Sequence, residues 1–136
     1  MKYTAYDFFT MRKIIELDEG RFNVVSGPDE MMIAAQAMGA DGAIGTTQNF
    51  LPRLFVAAYT AFHAGDVGQA EALQARINHT VATFLSFPSH AAAKEIMRLL
   101  GFDCGAPRPP LLPLTTQQQG QLKEMLQDIG FFQWAG

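Results

Sequence analysis

Residues 22–49, FNVVSGPDEMMIAAQAMGADGAIGTTQN, have the pattern of a strand, a helix and a second strand, with loop residues after each strand. Residues 22–25 are a short β-rich run that ends at Ser26-Gly27. Pro28-Asp29-Glu30 then has the form of a first helical turn, because proline is tolerated there and acidic side chains favour the positive end of the helix dipole. The apolar residues that follow predict a helix that ends at Gly39.

A second strand is predicted at Gly42-Ala43-Ile44-Gly45, which is too short and too small for anything but a buried strand. It opens into the hydroxyl-rich loop Thr46-Thr47-Gln48-Asn49. Two strands joined by one helix form a parallel pair with a crossover connection. We therefore expect an α/β fold in which the rest of the chain packs as helices against two or three short parallel strands.

Further helices are indicated by cap residues and by apolar residues at helical spacing. Thr4, Asp66, Ser89 and Thr115 are the predicted caps, the last of them with Gln118 three residues on. The helices are expected near residues 4–17, 52–64, 67–84 and 89–100, and from 115 onward, where Leu122, Met125, Leu126 and Ile129 form the packed face. The proline-rich segment 104–114 is expected to run extended across the surface.

Length, charge and cysteine usage exclude several classes of protein. The 136 residues fit one domain and fall short of the roughly 250 residues of a closed eight-stranded α/β barrel. A net charge of -3 without a Lys/Arg cluster gives no basis for nucleic-acid binding. With one cysteine, Cys104, no apolar run that could span a bilayer and no secretory signal, the chain is expected to be cytoplasmic and free of membrane contacts.

Two or three strands cannot cover their own edges and faces. We divide the chain into βα units at residues 1–64 and a helical extension at 65–136 that packs on them, within one domain. Open strand edges and bare apolar faces are expected unless a partner covers them, and a second copy of the chain is the expected partner.

Few side chains carry chemistry by their own pattern. Thr46 and Thr47 follow a predicted parallel strand, where hydroxyl groups line the usual binding face of α/β folds. Asp29 and Glu30 at a helix start are more often partners of the helix dipole than catalytic acids, and Lys2 alone is typical of a solvated terminus. The three histidines, His63, His79 and His90, lie in separate segments without ligand spacing, so no metal site is predicted, and Cys104 is expected to be inert.

Together, the motifs resemble the second half of N-acetylneuraminate lyases, members of the dihydrodipicolinate synthase superfamily of Schiff-base aldolases. The matching stretches are Lys2-Tyr3-Thr4, residues 22–30 and residues 39–49, followed by a helix that contains Lys94 and the segment RPPLLPL at 108–114. They span essentially the whole chain, in the family's order. The resemblance implies a partial TIM barrel with a helical C-terminal extension.

The resemblance also implies roles for individual residues. Lys2 matches the lysine that forms an imine with pyruvate, and Thr4 matches a hydroxyl that contacts the sugar-acid chain. Gly27, Asp29, Glu30 and Thr46 match positions that bind the polyhydroxyl tail of sialic acid. A lysine amine attacks a ketone, the iminium that results withdraws electrons from the bond being cleaved, and carboxylates accept hydrogen bonds from sugar hydroxyls, so no cofactor is expected.

Three hypotheses remain open. In the family, the loop that holds the pyruvate carboxylate and the tyrosine that shuttles the proton lie on earlier strands, and neither Tyr3 nor Tyr6 matches that tyrosine. The first hypothesis is a lyase-type half-barrel, impaired alone, that forms the imine only if chains pair. The second is a non-catalytic fragment or a self-associating interaction module. The third is a helical scaffold without a small-molecule site, in which the loops at Gly27 and Gly45 would lie on different faces.

Overall fold

The computed structural model describes residues 1–135 and has an α/β architecture of three parallel strands and six α-helices. The strands are β1 (Lys2–Tyr3), β2 (Val25–Ser26) and β3 (Gly42–Ala43). The helices are α1 (Phe8–Ile15), α2 (Met32–Ala37), α3 (Pro52–His63), α4 (Val67–Leu85), α5 (Ser89–Leu99) and α6 (Thr116–Asp128). The predicted class and strand number are confirmed.

The three strands form one parallel sheet in the order β1-β2-β3. Lys2 is aligned with Val25, and Val25 with Gly42. Backbone hydrogen bonds of 2.8 Å continue past the strand ends, from the Gly27 amide to the Tyr3 carbonyl and from the Ile44 amide to the Ser26 carbonyl. The predicted crossover between parallel strands is therefore present, with β2 paired on both sides.

The two faces of the sheet have different environments. Side chains alternate along a strand, so Lys2, Val25 and Gly42 lie on one face, and their successors Tyr3, Ser26 and Ala43 on the other. The second face is covered: Ser26 is buried, and Tyr3 packs on a small cluster formed by Met11, Val24, Ala35 and Ala40. On the first face Lys2 is exposed. Among the described residues, the helices cover one face of the sheet and leave the face of Lys2 open.

One large core holds the helical layer together. It is centred on Phe50, whose ring lies 6.0 Å from Phe84 and 6.2 Å from Phe131. The buried side chains come from both predicted regions, 1–64 and 65–136; the largest of those fully buried in this core are Phe50, Leu51, Ile77, Ile96, Leu122, Leu126 and Phe131. Phe131 brings the C-terminal segment into this core, because it is fully buried.

Helix ends follow the local sequence in most places. The Asp66 carboxylate accepts a hydrogen bond of 3.0 Å from the Gln69 amide at the start of α4. The Thr115 hydroxyl accepts one of 3.2 Å from the Gln118 amide, which completes the predicted capping box of α6. Each such cap stabilises a helix by about 1 kcal/mol. Gly39 and Gly101 follow α2 and α5 with φ of 94° and 93°, so both chain reversals use the left-handed conformation that glycine allows.

Some predicted boundaries and buried positions are wrong. Helix α1 begins at Phe8 rather than after Thr4, because Asp7 is the residue whose carboxylate accepts from the Thr10 amide. Ser89 is the first residue of α5 and makes no cap hydrogen bond. Met125 is 39% exposed on α6, while Leu122 and Leu126 are fully buried, so the packed face of that helix is narrower than expected. None of the helices described between residues 1 and 135 is long and apolar enough to cross a bilayer.

Candidate functional site

The loops that follow the three strands meet at one edge of the sheet. Parallel strands bring their C-terminal ends to the same edge, and ligands of open α/β folds bind there. Thr4 follows β1, Gly27 follows β2, and Gly45-Thr46 follow β3. The loops at Gly27 and Gly45 therefore lie together. The hypothesis of a helical scaffold expected these loops on different faces, and that expectation is wrong.

Lys2 and Thr4 lie directly over Gly27. A side-chain carbon placed on Gly27 would lie 2.8 Å from Cε of Lys2 and 2.8 Å from Cβ of Thr4, and it would collide with the Thr4 hydroxyl. Glycine is required here because two neighbouring side chains occupy the space that its own would fill. Lys2 and Thr4 are both exposed. The site thus presents a primary amine beside a hydroxyl on the open face of the sheet.

Asp29 joins the loop after β2 to the loop after β3. Asp29 is 5% exposed, and its carboxylate accepts hydrogen bonds from the Thr47 amide at 2.9 Å, the Thr47 hydroxyl at 2.7 Å and the Gln48 side chain at 3.1 Å. A side chain on Gly45 would collide with this carboxylate, so the glycine leaves room for it. Three of the roughly four acceptor positions of the carboxylate are used within the chain. The geometry gives Asp29 a positioning function; direct contact with a substrate stays a prediction.

Helix α4 holds the same turn from behind. The Gln74 side chain donates to the Asp29 carbonyl at 3.1 Å and to Asn78 at 2.8 Å, and its oxygen accepts from the Ile33 amide at 3.1 Å. Gln74 therefore satisfies the Ile33 amide, which helix α2 leaves without a partner, and adds a second donor to the Asp29 carbonyl, which also accepts from the Met32 amide. The loop that carries Asp29 and Glu30 is fixed by contacts on both of its sides.

Glu30 pairs with Tyr6, a residue to which the sequence assigned no function. The Tyr6 hydroxyl donates to Oε1 of Glu30 at 2.5 Å, which joins the loops after β1 and β2. This hydrogen bond, together with the nearby negative charge, raises the pKa of Tyr6 above its ordinary value of 10.0. Tyr6 is 67% exposed, so the pair lies at the rim of the site. The other oxygen of Glu30 remains available as an acceptor for a ligand hydroxyl.

Thr46 lines two adjoining cavities, of about 270 and 440 Å³, between the loop after β3 and helix α5. Both cavities are also lined by Ala93 and Lys94, and the larger one reaches His90 at the start of α5. The sequence placed Lys94 in a family-like helix and assigned it no function. Because α5 approaches Thr46 only in the folded chain, no local pattern could have revealed this contact.

The six predicted site residues fall into three groups. Lys2 and Thr4 both lie against Gly27, Asp29 is tied to the loop of Thr46, and Glu30 lies at the rim with Tyr6. Within residues 1–135, no group of three or more His, Cys, Asp and Glu side chains has the arrangement of a metal site. The arrangement can present an amine nucleophile with hydroxyl and carboxylate groups at one sheet edge.

Comparison with known proteins found a matching family model and several similar solved structures. The family model described as the dihydrodipicolinate synthetase family matches residues 1–129. The N-acetylneuraminate lyase of Proteus mirabilis is 28% identical with a TM-score of 0.89 over 96% of this chain and 44% of that chain. The sialic acid aldolase from Aliivibrio salmonicida is 28% identical with a TM-score of 0.88 over 96% of this chain and 43% of that one.

A dihydrodipicolinate synthase from Bacillus anthracis is also similar. It is 30% identical with a TM-score of 0.82, over 89% of this chain and 41% of that chain. The sequence thus spans less than half the length of these solved relatives. The match over residues 1–129, the parallel sheet and the loops that meet at its edge lead to one assignment. The chain belongs to the dihydrodipicolinate synthetase family.

Proposed function

We propose that the chain carries the imine-forming half of a Schiff-base aldolase site, with Lys2 as the nucleophile toward the ketone of pyruvate or of a longer 2-keto acid. The observation that supports this most is the packing of Lys2 and Thr4 over Gly27 on the open face of the sheet. A substrate can reach an amine in this position, and the Thr4 hydroxyl beside it can hydrogen-bond to a bound chain.

The chemistry follows from the groups present. The neutral amine of Lys2 adds to the keto carbon, and loss of water gives an iminium ion. When the carbon–carbon bond of the substrate breaks, its electron pair moves into the iminium and forms an enamine. The aldehyde leaves after its hydroxyl proton is removed. We assign that proton transfer to groups supplied by pairing or by further barrel strands, because Tyr6 is engaged with Glu30. An isolated chain is therefore expected to be impaired in catalysis.

The remaining site residues suit a polyhydroxyl tail. In this proposal Thr4, Gly27, Glu30 and Thr46 face the tail, and Asp29 contributes by fixing the loop of Thr46, with direct contact to the substrate as its further predicted role. We favour sialic acid, cleaved to pyruvate and N-acetylmannosamine, because two similar structures are lyases of that substrate. A dihydrodipicolinate synthase is equally similar in sequence, so other 2-keto acids belong in the same test.

Borohydride trapping with pyruvate tests the proposal. The chain is incubated with pyruvate and sodium borohydride, and adducts are located by intact-mass and peptide mass spectrometry. We expect one pyruvyl adduct on Lys2, lost in Lys2→Ala and retained in Lys123→Ala, which removes an exposed lysine on α6. An adduct spread evenly over the lysines, or none at high pyruvate, would contradict the proposal. Assay of sialate cleavage follows only if Lys2 is labelled selectively.

A second candidate function is self-association through the open side of the sheet. Ile44 and Val56 are apolar and 56% and 64% exposed at the β3 side of the sheet and on α3. Burial of such side chains against a second copy would be favourable, at about 25 cal/mol per Å². Sedimentation velocity over a concentration series tests it. Ile44→Asp should shift the chain toward monomer, whereas Leu112→Asp, a 78% exposed control in the proline-rich segment, should not.

A further inference from the structure

The six predicted site residues all lie within residues 1–64, but a glutamine of the helical extension contacts the loop after β2. Gln74 lies on α4, 45 positions after Asp29 in the sequence, and its side chain donates to the Asp29 carbonyl at 3.1 Å. Its side-chain oxygen accepts from the Ile33 amide at 3.1 Å. One side-chain amide therefore binds both ends of the turn that leads from Asp29 into α2.

The amide group of Gln74 is held in one orientation. Asn78, one turn later on α4, accepts from the same NH₂ group at 2.8 Å. Both N–H donors of that group are then used, by Asp29 and by Asn78, and the oxygen is the atom that faces Ile33. Because α2 leaves the Ile33 amide without a partner, an apolar side chain at position 74 would leave a half-buried donor unpaired.

Movement of this turn would displace two groups that we assign to the substrate tail. Glu30 is the residue after Asp29 in the turn. The Asp29 carboxylate accepts from the amide and the hydroxyl of Thr47 at 2.9 and 2.7 Å, so the loop that carries Thr46 is tied to the same turn. Lys2 lies on β1, whose position is set by its pairing with β2. Gln74 is therefore coupled to the tail contacts and not to the amine.

We propose that Gln74 is a positioning residue for the substrate tail. It holds the turn at Asp29 so that Glu30 and Thr46 keep the spacing that the hydroxyl groups of the tail require, and it acts without contact to the substrate. Hydrogen bonds weaken steeply as their angles depart from the optimum, so a small shift of the turn is enough to matter. The inference rests on the proposed function and deepens it, because it gives the helical extension a role in distinguishing tailed 2-keto acids from pyruvate.

Borohydride trapping on Lys2 provides the measurement. Labelling is followed over a concentration series of pyruvate, which has no tail, and of a tailed acid, and each series gives a half-saturating concentration. The tailed acid is sialic acid or 2-keto-3-deoxygluconate, whichever labels Lys2 in the wild-type chain at the lower concentration. The ratio of the tailed-acid value to the pyruvate value isolates the tail, because imine formation is common to both acids.

Three variants of α4 are compared with the wild-type chain. Gln74→Met keeps the length of the side chain and removes its three hydrogen bonds. Gln69→Met is the matched control, since Gln69 is an exposed glutamine on the same helix. Asn78→Ala is a milder variant, which keeps Gln74 and removes the acceptor that orients its amide. It takes the place of Gln74→Met as the test variant if Gln74→Met does not fold.

We expect the ratio to rise about fivefold to tenfold in Gln74→Met, and by a smaller factor in Asn78→Ala, because the loss of one hydrogen bond to the tail corresponds to such a factor. The ratio in Gln69→Met and the pyruvate value in all three variants should match the wild-type chain. A ratio that does not rise in the folded test variant overturns the inference, and so does an equal rise in Gln69→Met. Equal weakening of labelling by both acids overturns it too, since Gln74 would then have a structural role only.

Labelling by pyruvate separates failure of this inference from failure of the proposed function. A selective pyruvyl adduct on Lys2, combined with no labelling by either tailed acid or with an unchanged ratio in Gln74→Met, refutes only the positioning role. Absence of the pyruvyl adduct in the folded wild-type chain refutes the proposed function, and the positioning role with it.

Discussion

The hydroxyl of Tyr6 donates a 2.5 Å hydrogen bond to Oε1 of Glu30, and this contact links the loops after β1 and β2. The two residues are 24 positions apart. The contact uses one oxygen of a carboxylate predicted to bind a sugar tail, so Tyr6 sets the direction in which the other oxygen can accept a hydrogen bond.

The same pair gives a pH dependence. The pKa of Tyr6 is raised, so the protonated phenol stabilises the fold fully below about pH 10, and this contribution is lost as the pH rises through the raised pKa. Glu30→Gln should bring the pKa of Tyr6 back toward 10, as followed by the ultraviolet absorbance of tyrosinate. Difference spectra against Tyr6→Phe isolate this tyrosine. A pKa of Tyr6 that does not change in Glu30→Gln would show that the contact is absent in solution.

Asp29→Asn tests the positioning role of the buried carboxylate. Asparagine keeps one acceptor oxygen, but its NH₂ group replaces the other and faces groups that donate to it in the native chain. Hydrogen bonds are therefore lost, and we expect a loss of about 2 kcal/mol in the free energy of unfolding. Glu30→Gln is the matched control, because it removes the same charge at the next position, which is half-buried at the rim. Urea denaturation of the two variants checks the difference. Equal destabilisation would argue that charge, and not hydrogen bonding, is what Asp29 contributes.

Gly45→Ala and Gly120→Ala should have opposite effects on stability. A methyl group at Gly45 would collide with the Asp29 carboxylate, so the loop must move and we expect destabilisation of about 1–3 kcal/mol. Gly120 lies inside α6 with no atom within 4 Å of the added carbon, so alanine there should stabilise by about 0.5–1 kcal/mol. Thermal unfolding of the two variants, measured side by side with the wild-type chain, checks both expected changes in stability. A neutral Gly45→Ala would mean that the Asp29 side chain can turn away without cost.

Phe131→Ala and Phe132→Ala compare two adjacent aromatic residues of the C-terminal segment. Phe131 is fully buried against Phe50, and its truncation leaves a cavity that we expect to lower the free energy of unfolding by about 3–5 kcal/mol. Phe132 is 40% exposed, so its truncation should cost about 1 kcal/mol or less. Chemical denaturation gives both values. Similar losses would show that the segment does not pack as the fold indicates.

Residue pattern predicted the elements well because the forces involved act over a few positions. The cap at Asp66 and the capping box at Thr115 need only the amide three residues on. The start of α1 was predicted wrongly because local pattern does not choose between two possible caps. Thr4 and Asp7 are both plausible caps, and the choice depends on Thr4 lying over Gly27, 23 positions away in sequence.

The sequence by itself determined the α/β class, the parallel crossover, the helix order and the residues that resemble an aldolase site, since apolar spacing, caps and motif order are all readable along the chain. The tertiary structure decided which of those residues touch. It places Lys2 and Thr4 over Gly27 and sets the Asp29 carboxylate to accept hydrogen bonds from Thr47. It also pairs Tyr6 with Glu30 and brings Lys94 beside Thr46. These contacts join residues 18 to 48 positions apart, and such separations are fixed by the pairing of the parallel strands together with the packing of α4 and α5 against the sheet-edge loops.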